Sequence, residues 1–193
     1  MLSKFSVIPF CVFILFCSSA YTATFKGRVI DADTKEPIEG AVVLAHWDEG
    51  RATIAGESTR FKDVKETLTD KNGEWVIEGP RGRRGGNIMA IFTFLTGIYY
   101  TQTPEFIIFK PGYCSWPKGF GIDACRGKIK IEGDAKSAEG EVAELSKLTD
   151  REDRLRAMPG IIAGRNSLEK QKEFIRLINE EGRNLGLSGE VYK

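Results

Sequence analysis

The sequence predicts a mainly β protein, a seven-stranded antiparallel β-sandwich followed by a helical C-terminal tail. Three observations predict it. Between Tyr21 and Gly133, short β-branched or apolar runs are separated by turn-forming clusters of Gly, Pro, Asp and Lys. After Gly133 these glycine-punctuated runs give way to Ala, Glu, Lys, Leu and Arg. The first residues have the layout of an export signal and stand apart from the fold. The expected organisation is therefore a signal peptide over 1–20, a sandwich over 21–133 and a helical tail over 134–193.

The N-terminal reading rests on three parts. Met1 to Lys4 is a short cationic start, Phe5 to Phe16 is apolar apart from Ser6 and Pro9, and Ser18-Ser19-Ala20 places small residues before a cleavage after Ala20. The apolar stretch is shorter than the about 20 residues that span a bilayer. Lipidation at Cys17 would need a small residue before the cysteine, and Phe16 is not one. The expectation is an exported chain, periplasmic or extracellular, that begins at Tyr21 and has no transmembrane segment. Loss of Lys4 takes the formal charge from +1 to zero. A neutral chain has no general attraction for nucleic acid or anionic lipid.

The sandwich is punctuated by three phrases. The first is Gly27-Arg28-Val29-Ile30-Asp31 running on to Pro37-Ile38-Glu39-Gly40-Ala41, which joins the runs Thr24–Ile30 and Ala41–Trp47. Pro37 has no N–H for a ladder and belongs at a strand entrance or edge. Gly40 permits a bulge or a close backbone approach before the second strand. The second phrase is Thr69-Asp70-Lys71-Asn72-Gly73-Glu74-Trp75. Its Asp can cap the turn amides and its Gly can take positive φ, as a hairpin requires. Trp75, Val76 and Ile77 begin the returning strand. Arg81 to Gly86 then reads as a flexible solvated loop, with binding of phosphates or an acidic polymer as the alternative, and Ile88 to Leu95 reads as a buried strand. Tyr99-Tyr100 and Phe106 to Phe109 supply further sheet, and the third phrase, Lys110-Pro111-Gly112-Tyr113, ends that run.

Cleavage after Ala20 leaves two cysteines, Cys114 and Cys125, in a segment rich in Gly and Pro. In an oxidising compartment a disulfide is the default for such a pair. A metal site is the rival, but two cysteines without a nearby histidine fall short of the usual four ligands. In the tail, Val142, Leu145 and Leu148 fall three apart and suggest a helical stripe. Thr149-Asp150-Arg151-Glu152 has capping-box spacing for a short helix ending near Met158-Pro159-Gly160. Asn166, three before Glu169, could cap a longer helix in which Phe174, Ile175, Ile178 and Leu185 share a face and Gly186 is the stop. That apolar face is expected to pack on the sandwich or cover a sheet edge, and a docking arm for another envelope protein is the alternative.

Taken together in this order, the three phrases resemble the carboxypeptidase regulatory-like domain, a transthyretin-like β-sandwich found beside carboxypeptidases, in surface proteins and in free-standing exported proteins. The resemblance implies a scaffold for binding rather than a particular reaction. The enzymes on the same sandwich can be tested against this sequence. Hydroxyisourate hydrolases use several histidines and a C-terminal Tyr-Arg-Gly-Ser, whereas this chain has one histidine and ends Glu190-Val191-Tyr192-Lys193. Intradiol dioxygenases hold iron with two tyrosines and two histidines, and the zinc unit of a carboxypeptidase also needs histidines.

The one histidine, His46, stands in Ala45-His46-Trp47-Asp48-Glu49, where Asp48 and Glu49 make a general-base or metal reading possible. A single histidine at a strand end is more simply a half-buried polar residue. No His-Glu-x-x-His, nucleophile elbow or phosphate loop occurs in the sequence. Neither a cofactor nor catalysis is therefore expected. The expected function is a non-catalytic interaction or structural module of the cell envelope, with an envelope protein or a glycan as partner. A carbohydrate-binding module is the alternative, using exposed aromatics among Trp47, Tyr99, Tyr100, Tyr113 and Trp116. An unrecognised hydrolase around His46 is the third reading.

Overall fold

The apolar run that leads to Trp47 forms the first half of the strand around which the protein is built. A computed structural model describes residues 22–81, 95–117, 125, 142–161 and 165–190. Among these, seven strands appear: β1 (Thr24–Asp31), β2 (Val42–Thr53), β3 (Gly56–Leu68), β4 (Glu74–Glu78), β5 (Tyr100–Thr101), β6 (Glu105–Phe109) and β7 (Val142–Leu145). Two α-helices follow, α1 (Arg151–Ala157) and α2 (Lys172–Asn184), the second preceded by a 3-10 turn over Arg165–Lys170. The smaller sheet has the order β4-β1-β7, and in the larger one β2 lies between β3 and the pair β5 and β6.

The continuous apolar character of β2 follows from its position. Side chains alternate across a strand. On one face Val43, Ala45 and Trp47 meet Phe25, Val29, Trp75, Ile77 and Phe106 in the core between the sheets. On the other, Val42 and Leu44 join Val64 and Phe109 beneath Phe174, Leu177 and Ile178 of α2. The larger sheet is thus covered on both sides, by a sheet and by a helix. β3 runs along the open edge of this sheet, and its charged residues Arg60, Lys62 and Lys65 suit an edge that must not pair with another chain.

The three phrases of the sequence converge on the end of β1. Val29 N–H donates to Gly73 O at 2.8 Å, and Ile38 N–H donates to Val29 O at 3.1 Å. Gly73 has φ +74, and a Cβ there would run into Val29 O. Asp70 caps its own turn by accepting from Asn72 N and Glu74 N. Asp31 accepts from the amides of Asp33 and Thr34 and from the Tyr113 side chain. Burial opposes its charge, but these donors prevail and hold its carboxyl below the usual value. Lys110 Nζ reaches Glu39 O at 2.8 Å beside Gly40, which has φ +67. The turn residues therefore do more than reverse the chain, because they bond to one another across the sandwich.

Two expectations need correction. The stripe Val142, Leu145, Leu148 is not helical, since Val142–Leu145 is strand β7, paired parallel to β1 with Arg28 opposite Val142 and Asp31 opposite Leu145. Its burial alternates, with Ala143 and Leu145 inward and Val142 outward. A spacing of three fits a helix, but Ala143 and Leu145 also fit a strand, and the free edge of β1 offers the hydrogen bonds that decide it. The sandwich therefore draws one strand from beyond Gly133 and is not wholly antiparallel. The strand expected over Ile88–Leu95 lies outside the described residues except for Leu95, which is helical and exposed. The basic run after Arg81 also lies outside them.

The tail otherwise matches its sequence signals in outline. Helix α1 is capped one residue later than the capping box suggests, by Asp150, whose side chain accepts from Glu152 N and Asp153 N. Helix α2 has no cap of its own. Instead Glu66 of β3 accepts from Glu173 N at 2.8 Å and from Phe174 N at 2.9 Å. Its first turn is thus satisfied by a carboxylate from the sheet it packs on. Gly186, with φ +74, follows the end of α2. The Asn166 side chain lies outside the described residues. Among the described residues no helix is long and apolar enough to cross a membrane.

Candidate functional site

Beyond Trp47 the larger sheet outruns its partner sheet, and its last residues turn polar. Pairing slips between Trp47 and Asp48, where Trp47 faces Asp63 but Asp48 faces Phe61, leaving Lys62 as the extra residue of a bulge. Glu49 is directly opposite Arg60 on one side and Thr101 on the other. Arg60 donates to Glu49 Oε2 through Nε at 2.9 Å and Nη2 at 2.6 Å. Lys62 Nζ donates to Glu49 Oε1 at 2.7 Å and to Thr101 Oγ1 at 2.8 Å. Burial opposes the Glu49 charge, but Lys62 and Arg60 overcome it and hold the carboxyl below its usual value.

Tyr99 completes this face. The Arg60 guanidinium lies 3.9 Å from the centre of its ring and the Arg51 guanidinium 5.1 Å from it. Both are within cation–π range. Arg60 and Lys62 are held by Glu49, whereas Arg51 makes no ion pair with any described residue. Its Nε is buried without a hydrogen-bond partner. Arg51 also lines an open depression of about 510 Å³ with Ala52, Thr53, Ile54, Ala55 and Gly97.

The opposite face of the same strands carries a second network. The Tyr100 hydroxyl donates to Glu57 Oε1, and Gln102 Nε2 donates to the same oxygen at 2.9 Å. The bond to Glu57, with burial, raises the Tyr100 phenol above its usual value. Gly50 forms the floor of this network, since a Cβ there would collide with Glu57 and come within 2.8 Å of Gln102 Nε2.

The other residues singled out in the sequence are placed elsewhere. Trp47 and Trp116 are core residues, 2% and 3% exposed, and neither can serve as a sugar platform. Each lies on an inward position of a β-rich run, where a large apolar ring contributes most. Tyr113 is half-buried, packs against the inter-sheet core and bonds Asp31. Burial, and after it the Asp31 charge, raises its phenol above the usual value. Tyr99 and Tyr100 alone of the five stand at the open end of the sheet, side by side in sequence but tied into networks on opposite faces.

His46 is 12% exposed, with Nε2 3.2 Å from Asp48 Oδ1 and its ring stacked on Phe61 at 5.6 Å. Glu49, on the alternate face of β2, does not join it. Among the described residues no group of three or more His, Cys, Asp or Glu is arranged to hold a metal ion. Cys114 and Cys125 are joined in a disulfide, with Cα atoms 6.2 Å apart, and pack with Leu148 and Ala157 of the tail.

Sequence reasoning missed Arg51, Arg60, Lys62 and Glu57. A signal for them exists in the period-two placement of Glu49 and Arg51 on one strand and of charges on the next, but reading it needs the register.

Comparison with known proteins adds little to this geometry. No family model and no curated protein matches the chain. Among solved structures, it is similar to hydroxyquinol 1,2-dioxygenase from Pseudomonas putida DLL-E4, at 16% identity and a TM-score of 0.28. The likeness covers 69% of this chain and 56% of that one, so the match spans little more than half of the enzyme's length. A score that low carries no argument for this chain.

Proposed function

We propose that the chain is a non-catalytic, exported interaction module of the cell envelope, related to the carboxypeptidase regulatory-like domain, which engages its partner through the exposed end of the larger sheet. The observation that carries this reading is the Tyr99 ring under two guanidiniums, one of which has no counter-charge among the described residues. A cation and an aromatic ring at an open strand end are typical of recognition surfaces. The disulfide is in keeping with an oxidising compartment. The near-neutral charge argues against nucleic acid as partner.

The engagement of His46 by Asp48 and Phe61 supports a structural role for that ring. Catalysis would need a base aimed at a substrate-sized space, with further groups converging on it. A carbohydrate-binding module is the second reading. Burial of both Trp47 and Trp116 removes its strongest platforms, and Arg60 lies over the Tyr99 ring, so only Tyr100 and part of Tyr99 are left to it.

The test places a photo-crosslinking residue at Ile54, which is 95% exposed, and another at Lys71 on the distant β3–β4 turn, both in the intact cell envelope. The expected outcome is a discrete adduct from position 54 and none from position 71. In parallel, ester, glycoside and peptide substrates are screened with wild type and His46→Ala. Turnover that disappears in His46→Ala, or the absence of any adduct specific to position 54, overturns the proposal.

A further inference from the structure

We infer that the depression beside Arg51 receives a peptide C-terminus, its carboxylate on the Arg51 guanidinium and an apolar last side chain on the adjoining wall. This rests on the binding-module reading and gives the chemistry of the partner. Among the described residues the charge on this face is unbalanced, with three cations, Arg51, Arg60 and Lys62, against the single carboxylate of Glu49. Glu49 is already saturated by Arg60 at 2.6 Å and 2.9 Å and by Lys62 at 2.7 Å. Among the described residues of this face Arg51 is the cation left to meet an incoming anion, and a guanidinium fork matches a carboxylate. A single unpaired cation suits a single negative charge better than a phosphate monoester or a polyanion.

The remaining wall sets the rest of the ligand. Ala52, Ala55 and Gly97 are small, Ile54 stands exposed, and the cavity of about 510 Å³ is wide and open rather than tunnel-like. Leu95 and Ile98, on the segment that supplies Gly97, add further exposed aliphatic surface. A branched side chain such as leucine fills a wide, shallow hollow. A long acyl chain would leave much of its length in water and gain less from burial. Capture of a terminal carboxylate is a known mode of peptide recognition.

The test follows amide signals of the full, oxidised chain by NMR during titration with N-acetyl-glycyl-leucine. The expected result is saturable shifts at Ala52, Ile54 and Gly97. Binding should weaken by about tenfold or more for the C-terminal amide of the same peptide and for Arg51→Gln, because each removes one half of a charged pair. Octanoate and inorganic sulfate should bind more weakly than the acid peptide. Retention of the remaining spectrum in Arg51→Gln establishes that the variant is folded. Equal binding of acid and amide, unchanged binding by folded Arg51→Gln, tighter binding of octanoate or sulfate, or no binding at all each overturns the inference. If the peptide fails while the Ile54 adduct persists, only the ligand class is wrong. If the adduct is absent as well, the binding-module reading fails with it.

Discussion

Arg154→Ala should destabilise this protein more than Glu181→Ala, although the two residues form one ion pair. Arg154 donates to Glu181 through Nε at 2.8 Å and Nη2 at 2.7 Å, and this bond holds the guanidinium above its usual value. The two ends differ in burial, since the Glu181 side chain is 2% exposed and that of Arg154 is 23% exposed. Removing Arg154 strands a buried carboxylate whose remaining partner among the described residues is the Gly112 amide at 3.2 Å. Breaking a buried pair in this way costs about 3–5 kcal/mol. Removing Glu181 leaves a guanidinium that can turn to water and an amide that loses one long bond, a cost of about 1–3 kcal/mol. The double variant should be less damaged than Arg154→Ala, because no charge is then stranded. Urea unfolding at neutral pH under oxidising conditions measures all three. At about 2–4 °C per kcal/mol for a chain of this size, Arg154→Ala should also melt roughly 6–20 °C lower. Equal losses in the two single variants, or a double variant no better than Arg154→Ala, would refute the reasoning.

The other predictions concern acid, the cross-link and one turn. Burial raises the Glu66 carboxyl above its ordinary value of 4.5 even though two helix amides donate to it. Its proton is therefore bound more tightly in the folded chain, and this contribution to stability is complete below pH 4.5 and is lost as pH rises through the raised value. The stability of wild type minus that of Glu66→Gln should fall from pH 4.5 upward, and a flat or rising difference in urea titrations would contradict it. Replacing Cys114 and Cys125 together by Ser should cost up to ~3 kcal/mol and make stability insensitive to reductant, while non-reducing peptide maps of the wild type should show the two linked. Gly73→Ala should cost at least ~2 kcal/mol in thermal melts, since it imposes positive φ on alanine and sets a Cβ against Val29 O; an unchanged melt would show that the turn adapts.

What was legible in the sequence was what neighbouring residues decide among themselves. Asp70 and Gly73 close a turn by local bonds, Phe106 to Phe109 form a strand through their own apolar run, and Gly186 follows the end of α2. The short stretch at Val142–Leu145 was different, because its few residues satisfy both periods and only the open edge of β1 selects the strand. The cap of α2 was illegible for a related reason, since Glu66 lies 107 positions from the amide of Glu173. The candidate site was half legible. Tyr99 and Tyr100 could be named as aromatic residues, but Arg60 reaches the Tyr99 ring only because a bulge at Trp47 and Asp48 resets the register. Trp47 and Trp116 looked like equal candidates because a sequence records an indole without its burial.

The parallel pairing of β1 with β7 also sets a timetable for synthesis. A ribosome releases β1 first and adds roughly 110 further residues before β7 follows, which at bacterial or eukaryotic elongation speeds is about 6–20 s. Through that interval one edge of β1 can be covered by β4 while the edge that later pairs with β7 stands open. An open strand edge is a template for any other extended chain. The Lys35–Glu144 contact at 2.7 Å forms only when that edge closes. Nascent chains of this protein are therefore exposed to mispairing at that edge until β7 has been made.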